Sequence, residues 1–364
     1  MSQGDSGGQL QLPPGTSGIK RRKLLVNGRS IHFADTGNLG DPLVLFLHGW
    51  PASWYLWRRQ LSECAGHRWR GVAPDMRGFG STDGSDAVHE YNVYCVASDI
   101  LGLMHLLGYE RCVIVGHDAG AYLTWQMALL YPKAFVAVCA MSVPYSGRPK
   151  KPILASLKAA YGEPTDRASA KFMYILHHQL AEAPGGYDAN AREALYRIYS
   201  SLTDNSTPFD MPEVVDEKMW VGGSPEGIWS RAPRAKALPE WFPKEEFDYT
   251  VQEYQSKGFA DSLKWYQKFD IDWEITPQLE GRLVSQPLLF IAGTRDNVIR
   301  MSGGRKQVEK TLPTVCALPP KVVFYSGCGH WIQLQATERV NRDLFAFLGE
   351  HRAQAPFSSA QSRL

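Results

Sequence analysis

The stretch Val113-Ile114-Val115-Gly116-His117-Asp118-Ala119-Gly120-Ala121 decides the fold prediction for this chain. An apolar run typical of a buried strand meets a helical pattern at a G-x-D-x-G turn. Glycines on both sides of the aspartate suit a sharp turn at which backbones approach closely. The turn would present the Asp118 carboxylate at the end of the strand, beside a helix N-terminus that favours an anion. The alternative is an ordinary strand-to-helix turn in which Asp118 only caps the helix.

The rest of the chain repeats this alternation of apolar runs and helical patterns. Further buried strands are predicted at residues 43–47, 112–115, 135–141, 288–291 and 322–325. Helices are predicted among them at residues 55–63, 91–107 and 119–131. Strands that alternate with helices indicate an α/β fold with a mostly parallel sheet flanked by helices.

The alternation stops near Pro144 and resumes at Pro287. The segment between them has the pattern of helices and loops, so we expect a helical cap domain inserted into the sheet domain. The predicted organisation is a disordered N-terminal segment at 1–22, a core domain at 23–143 and 276–350, a cap (lid) at 144–275 and a C-terminal tail at 351–364.

Composition and charge exclude several classes of protein. Lys and Arg total 39 and Asp and Glu total 37, so the net charge of +2 gives no electrostatic footprint for nucleic acid. The basic cluster Lys20-Arg21-Arg22-Lys23 is interpreted as a solvated start of the fold. The six cysteines form no CxxC pair, which argues against a disulfide scaffold or a redox motif. No metal site and no cofactor are predicted, and the oligomeric state stays open.

The cellular location is predicted from the absence and presence of short signals. No run of about 18 apolar residues occurs, so no membrane span is expected, and the N-terminus lacks an apolar signal region. A cytoplasmic location is therefore the default expectation. The chain ends in Ser362-Arg363-Leu364, which resembles the Ser-Lys-Leu peroxisomal address and makes peroxisomal import a hypothesis for a eukaryotic source.

A second motif, Leu47-His48-Gly49-Trp50-Pro51, follows an earlier predicted strand. A loop in this place can donate one backbone N–H to an oxyanion hole, and the residue after the nucleophile can donate the other. The donors would be Trp50 and Ala119. An ordinary loop is the alternative interpretation.

The remaining catalytic candidates come late in the chain. Asp296 lies just past one apolar strand, and His330 lies in the loop after the next. The order acidic nucleophile, Asp, His matches a known order of catalytic triads. A lone histidine is usually structural, but one that follows the next strand after an aspartate, at the same sheet edge as the elbow, is a better candidate for a base.

The identity of the nucleophile indicates the substrate class. A serine that attacked an epoxide or alkyl carbon would leave an ether, which a general base cannot easily hydrolyse. An aspartate leaves an ester, which water activated by His330 can hydrolyse while Asp296 orients the imidazole. The pattern therefore favours substrates with an electrophilic sp³ carbon.

The chain resembles the soluble epoxide hydrolases, within the wider group that includes haloalkane dehalogenases. The resemblance runs from about Leu25 to Glu350 and rests on five motifs: HGWP at 48–51, DMRGFGST at 75–82, GHDAG at 116–120, GTRDNV at 293–298 and GCGHWIQ at 327–333. It implies the α/β-hydrolase fold and the opening of epoxides to vicinal diols, with a small-molecule epoxide and water as the only partners.

The resemblance also implies two cap tyrosines that hold the epoxide oxygen. Tyr174 matches an F-x-Y pattern early in the cap, and Tyr266 follows Trp265 in a W-Y pair late in it. Phenols can donate hydrogen bonds to the alkoxide that develops. The alternative is that each tyrosine only packs against cap helices. His177 and His178 are interpreted as polar cap residues.

Four side chains are predicted to line the substrate pocket: His48, Pro51, Trp265 and Trp331.

One position departs from the family pattern. Members commonly carry Trp after the nucleophile, and this chain has Ala119. The backbone N–H is kept, but the missing indole enlarges the pocket and weighs against a dehalogenase, which uses that indole to hold the halide.

The alternatives to an epoxide hydrolase are a haloalkane dehalogenase and a non-catalytic ligand-binding protein on the same fold. Because residues 141–144 contain no carboxylate, Asp296 is the predicted acid of the triad.

Overall fold

The apolar runs of the sequence become the strands of one eight-stranded sheet in a computed structural model that describes residues 13–163, 173–201 and 235–354. The strand order is β1-β2-β4-β3-β5-β6-β7-β8. The strands are β1 (Lys20–Val26), β2 (Arg29–Thr36), β3 (Leu43–Leu47), β4 (Arg70–Pro74), β5 (Cys112–His117), β6 (Phe135–Met141), β7 (Leu288–Gly293) and β8 (Lys321–Tyr325).

Six of these strands, β3 to β8, run parallel, and β1 and β2 add an antiparallel edge. Every residue of β3, β5, β6 and β7 is buried. Such strands read as continuous apolar runs because helices cover the faces of a parallel sheet. The predicted α/β class with a mostly parallel sheet is confirmed.

The antiparallel edge has no counterpart in the sequence prediction. The cluster Lys20–Lys23, interpreted as a solvated start, lies within β1. Its outward side chains hide the strand pattern, and two of them form ion pairs with the core, Arg21 with Asp75 at 3.4 Å and Arg22 with Asp35 at 3.1 Å. The ordered sheet therefore begins three residues before the predicted start of the core domain.

The helices divide between the two predicted domains. The core carries α1 (Arg58–Cys64), α2 (Val93–Leu106), α3 (Ala119–Leu130), α11 (Asn297–Met301), α12 (Gly304–Thr311), α13 (Ile332–Gln335) and α14 (Thr337–His351). The described part of the segment between β6 and β7 carries α4 (Ile153–Tyr161), α5 (Tyr174–His177), α6 (Ala183–Asp188), α7 (Ala191–Ser201), α8 (Lys244–Lys257), α9 (Ala260–Gln267) and α10 (Phe269–Ile275). None of the helices in the described part of the chain is long and apolar enough to cross a membrane.

Buried polar contacts fix the cap to the core. Asp272 of α10 accepts a hydrogen bond of 2.7 Å from the backbone N–H of Val93, at the start of α2. It also pairs with the fully buried Lys268 at 3.0 Å. The indole N–H of Trp265 donates to the carbonyl of Arg77 at 2.9 Å. These contacts hold α9 and α10 above the carboxyl edge of the parallel strands.

Candidate active site

The predicted turn at Asp118 is a sharp elbow between β5 and α3. Asp118 has φ of 55° and ψ of −123°, a region that costs free energy for any residue with a Cβ and that persists only where the surroundings impose it. The helix also approaches β3 closely. A Cβ on Gly120 would lie 2.2 Å from the carbonyl oxygen of Leu47. Glycine is therefore needed for α3 to start where it does.

The loop after β3 faces one carboxylate oxygen of the elbow. The backbone N–H of Trp50 donates a 2.8 Å hydrogen bond to Oδ1 of Asp118. The approach depends on Gly49, since a Cβ there would lie 2.3 Å from the same oxygen. Ala119, the other predicted oxyanion donor, is the first residue of α3 and is partly exposed beside the carboxylate. The peptide bond between Trp50 and Pro51 is cis.

The other carboxylate oxygen faces His330. Nε2 of His330 lies 3.5 Å from Oδ2 of Asp118, and Nδ1 lies 3.1 Å from both carboxylate oxygens of Asp296. Asp296 is fully buried and is itself held by the backbone N–H of Val298, which donates to its Oδ1 at 2.8 Å. The structure thus brings the three predicted triad residues into contact in the order carboxylate, imidazole, carboxylate.

Electrostatics make this group a resting ion pair. Burial alone would lower the pKa of His330, but the carboxylates of Asp296 and Asp118 outweigh it and raise the pKa to about 10. Burial alone would raise the pKa of Asp118, but the hydrogen bond and charge of His330 outweigh it and lower the pKa. At neutral pH the imidazole is therefore protonated and the Asp118 carboxylate is ionised.

Two residues that support His330 were not predicted. The carbonyl oxygen of His330 accepts hydrogen bonds from Nε2–H of His117 at 2.9 Å and from the hydroxyl of Ser142 at 3.0 Å. Burial, followed by the charge of His330, lowers the pKa of His117 to about 4, so this ring is neutral. His117 stands beside Asp118 in the quoted motif, but a position next to a nucleophile does not reveal a contact 213 residues along the chain.

The two predicted tyrosines lie together in the cap. The ring centroids of Tyr174 and Tyr266 are 5.7 Å apart with an edge-to-face angle of 84°. Two amides tie their segments: Gln179 donates to the carbonyl of Tyr266 at 3.3 Å, and Gln267 donates to the carbonyl of His178 at 2.9 Å. Phe172 of the F-x-Y pattern lies outside the described residues.

Both phenols remain protonated. Burial, with the charge of Asp118 as the next cause, raises the pKa of Tyr174 and of Tyr266 far above the usual value. Among the described residues, no hydrogen bond engages either hydroxyl. Two phenols without an acceptor among the described residues thus lie where the charge of Asp118 acts on them, and such hydrogen-bond donors can stabilise an anion.

The four predicted pocket residues are all buried and support the site. Both ring nitrogens of His48 bind backbone, Nε2 accepting from Met76 at 3.0 Å and Nδ1 donating to Gly49 at 2.9 Å. Trp265 is held by its indole bond to the core, and Trp331 stacks on Tyr199 at 4.3 Å with no exposed surface. Direct contact of these four residues with substrate stays a prediction.

Several side chains of α3, of the loop after β6 and of the cap keep partly exposed surfaces. They belong to Ala119, Tyr122, Val143, Tyr174 and Phe269. All are apolar or aromatic, and Phe269 contacts the rings of both Tyr122, at 5.3 Å, and Tyr266, at 5.9 Å.

Known proteins resemble this chain in both sequence and fold. The model of the alpha/beta hydrolase fold family matches residues 42–337. Epoxide hydrolase A of Mycobacterium tuberculosis is 33% identical over 327 residues, covering 90% of this chain and 96% of that protein. Epoxide hydrolase 3 of Siraitia grosvenorii is 27% identical, covering 91% and 99%. The crystal structure of epoxide hydrolase A from Mycobacterium thermoresistibile superimposes with a TM-score of 0.82 at 31% identity, covering 91% and 98%.

Proposed function

The chain belongs to the α/β-hydrolase fold family as one of its epoxide hydrolases, and from that premise we propose that it opens epoxides through a covalent ester on Asp118. One observation carries the proposal. The ionised carboxylate of Asp118 has protonated His330 on one side, and its charge acts on two protonated cap phenols whose hydroxyls have no acceptor among the described residues. Two-step opening of an epoxide requires a nucleophile, hydrogen-bond donors that stabilise the departing epoxide oxygen, and a base for the hydrolysis of the ester.

In the first step a carboxylate oxygen of Asp118 attacks an epoxide carbon. The C–O bond of the ring breaks, and its electron pair stays on the epoxide oxygen. Tyr174 and Tyr266 donate hydrogen bonds to this oxygen, and one of the phenols transfers its proton to it, which gives the first hydroxyl of the product. The phenol regains a proton from solvent, and the His330 imidazolium releases its own proton to solvent once the charge of Asp118 is gone. Asp118 is then an ester and has lost its charge.

In the second step water attacks the carbonyl carbon of that ester. His330 takes a proton from the water, and Asp296 stabilises the imidazolium that forms. The backbone N–H groups of Trp50 and Ala119 hold the tetrahedral oxyanion. The intermediate collapses, the proton returns to the departing oxygen, and the vicinal diol leaves as Asp118 is regenerated.

The resting ion pair explains why His330 acts only in the second step. While Asp118 is ionised, the imidazole keeps its proton and cannot serve as a base. Alkylation removes the negative charge 3.5 Å from Nε2. The pKa of His330 then falls toward neutrality, where general-base catalysis is most effective.

Trapping the ester tests the proposal. His330→Gln should alkylate but not hydrolyse, so intact-protein mass spectrometry after exposure to styrene oxide should show enzyme plus one substrate mass. Asp118→Ala should show no adduct. A matched control is His105→Gln, a histidine of α2 outside the site, which should turn over without accumulating an ester. Adduct formation in Asp118→Ala, or none in His330→Gln, would contradict the assignment.

A second assay separates this activity from its nearest rival. Diol formation from styrene oxide or a fatty-acid epoxide, without halide release from a haloalkane, is the expected result. Halide release at a comparable rate would favour a dehalogenase. Absence of both products would leave a ligand-binding protein on the same fold.

For the cellular location, we propose the cytoplasm, with peroxisomal import as the hypothesis for a eukaryotic source. The supporting signal, Ser362-Arg363-Leu364, lies outside the described residues. A fluorescent protein fused to the last ten residues should reach peroxisomes in a eukaryotic cell. A diffuse signal, with a Ser-Lys-Leu fusion imported in parallel, would leave the cytoplasm as the proposed location.

A further inference from the structure

His178 is a buried titratable group that the proposed steps do not use. It follows α5, one turn after Tyr174, and its backbone N–H donates to the Tyr174 carbonyl at 2.9 Å. Its residue surface is 0% exposed, so it is no polar surface residue of the cap.

The ring of His178 packs against Tyr174 and Tyr266, the two tyrosines proposed to hold the epoxide oxygen. Its centroid lies 4.6 Å from that of Tyr266 and 5.6 Å from that of Tyr174. It also lies 4.8 Å from Trp50, the residue whose backbone holds the carboxylate of Asp118. A side chain in this place restricts how the two phenol rings can turn.

The imidazole is itself held in one orientation. Nε2 shares a 2.9 Å hydrogen bond with the hydroxyl of Tyr187, which is also buried. Nδ1 has no hydrogen-bond partner among the described residues, and a buried polar atom without a partner is costly to keep. Burial, with the nearby His177 as the next cause, holds the pKa of His178 well below its usual value. The ring is therefore neutral and does not compete with His330 for the charge of Asp118.

We propose that His178, anchored by Tyr187, is a positioning residue that sets the orientation of the Tyr174 and Tyr266 hydroxyls toward the epoxide oxygen. It acts through these two rings and does not touch substrate. The inference rests on the proposed role of the two tyrosines. Its physical basis is that hydrogen-bond donors lose much of their effect when their geometry is loosened by about 1 Å.

The experiment measures alkylation and ester hydrolysis separately by single-turnover kinetics. His178→Ala should slow alkylation by about 10- to 100-fold, since a shift of about 1 Å can cost that much. Ester hydrolysis should change little, because Trp50 stays held by its indole bond to Ser262 at 3.2 Å. His178→Phe keeps a flat ring of similar shape but loses the bond to Tyr187, so its alkylation rate should lie between those of His178→Ala and the wild type.

Tyr187 provides an independent variant if His178→Ala does not fold. Tyr187→Phe removes only the hydroxyl that anchors the imidazole and should slow alkylation in the wild-type background. In the His178→Phe background the same change should have no further effect, because the hydrogen bond is already gone. Leu195→Ala, a buried change in α7 of the cap, is the matched control: it should lower the melting temperature and leave alkylation unchanged.

The outcomes separate this inference from the function on which it rests. If Tyr174→Phe and Tyr266→Phe both alkylate at the wild-type rate, the role of the tyrosines fails. If they are slow while His178→Ala alkylates at the wild-type rate, only the positioning role fails. The positioning role is also overturned if Leu195→Ala slows alkylation as much as His178→Ala, or if Tyr187→Phe has equal effects in both backgrounds.

Discussion

Replacing Asp118 by Asn should lower the pKa of His330 by an amount that the structure allows us to work out. Two unit charges at the 3.5 Å that separate Nε2 from Oδ2 interact by roughly 5 kcal/mol when the effective dielectric constant is about 20. Since about 1.4 kcal/mol corresponds to one pKa unit, removing the charge should lower the pKa by roughly three. The value of about 10 in the resting enzyme would fall to near neutrality. The uncharged amide of Asp118→Asn thus imitates the charge state of the ester.

The assay is a pH titration followed by NMR of imidazole-labelled protein. The chain contains 10 histidines, and the spectrum of His330→Gln identifies the resonance that belongs to His330. Intact-mass measurement before and after the titration verifies that the introduced amide has not hydrolysed back to a carboxylate.

The reasoning fails if His330 titrates at the same pH in the wild type and in Asp118→Asn. Such a result would mean that Asp118 does not hold the proton on the imidazole. The loss of its charge could then not convert His330 from an acid into a base between the two steps.

Three further outcomes are expected. Tyr174→Phe or Tyr266→Phe should slow alkylation by about 10²–10³-fold, as the loss of other oxyanion donors does, and should slow ester hydrolysis less. Stopped-flow fluorescence measures both rates. An unchanged alkylation rate in the double variant would show that the tyrosines do not stabilise the epoxide oxygen. The rate of ester hydrolysis should rise with pH through the lowered pKa of His330 in the esterified enzyme and then level off. The rate of alkylation should not change with pH, because the pKa of Asp118 is depressed. Rapid-quench experiments measure both rates, and a hydrolysis rate that does not change with pH would argue against a histidine base. Asp272→Ala should lower the free energy of unfolding by about 3–5 kcal/mol, because it leaves the buried Lys268 unpaired. Urea denaturation measures this loss. A loss below about 1 kcal/mol would show that the contacts of Asp272 do not stabilise the packing of the cap on the core.

Local chemistry explains which parts of the site could be predicted from the sequence. The elbow at Asp118 needs glycine within two residues because α3 approaches the carbonyl of Leu47, so its motif is short and recognisable. Asp296 and His330 each follow a fully or partly buried strand, and the carboxyl ends of parallel strands share one sheet edge. The alternation of strand and helix patterns, the glycines of the elbow and the order of the three residues along the chain were therefore sufficient to predict Asp118, Asp296 and His330.

Other parts depend on contacts that no local pattern encodes. Strand β1 was not predicted because its charged residues hide the strand pattern, and only the structure shows that Arg22 pairs with Asp35 of the neighbouring β2 and Arg21 with Asp75, 54 residues along the chain. His117 supports His330 through a backbone carbonyl. His178 lies against both phenols only because α5 and α9 are tied together across the cap. The sequence shows these residue types but not their partners.

The most direct test of the covalent ester is a single turnover in ¹⁸O-labelled water with enzyme in excess over epoxide. Because water attacks the carbonyl carbon of the ester, the heavy oxygen should enter the carboxylate of Asp118, and the first diol should carry an old carboxylate oxygen. Mass spectrometry of the diol and of the peptide that contains Asp118 reads both fates. Heavy oxygen in the first-turnover diol, with none in Asp118, would show that water attacks the epoxide itself and that Asp118 is a general base at most.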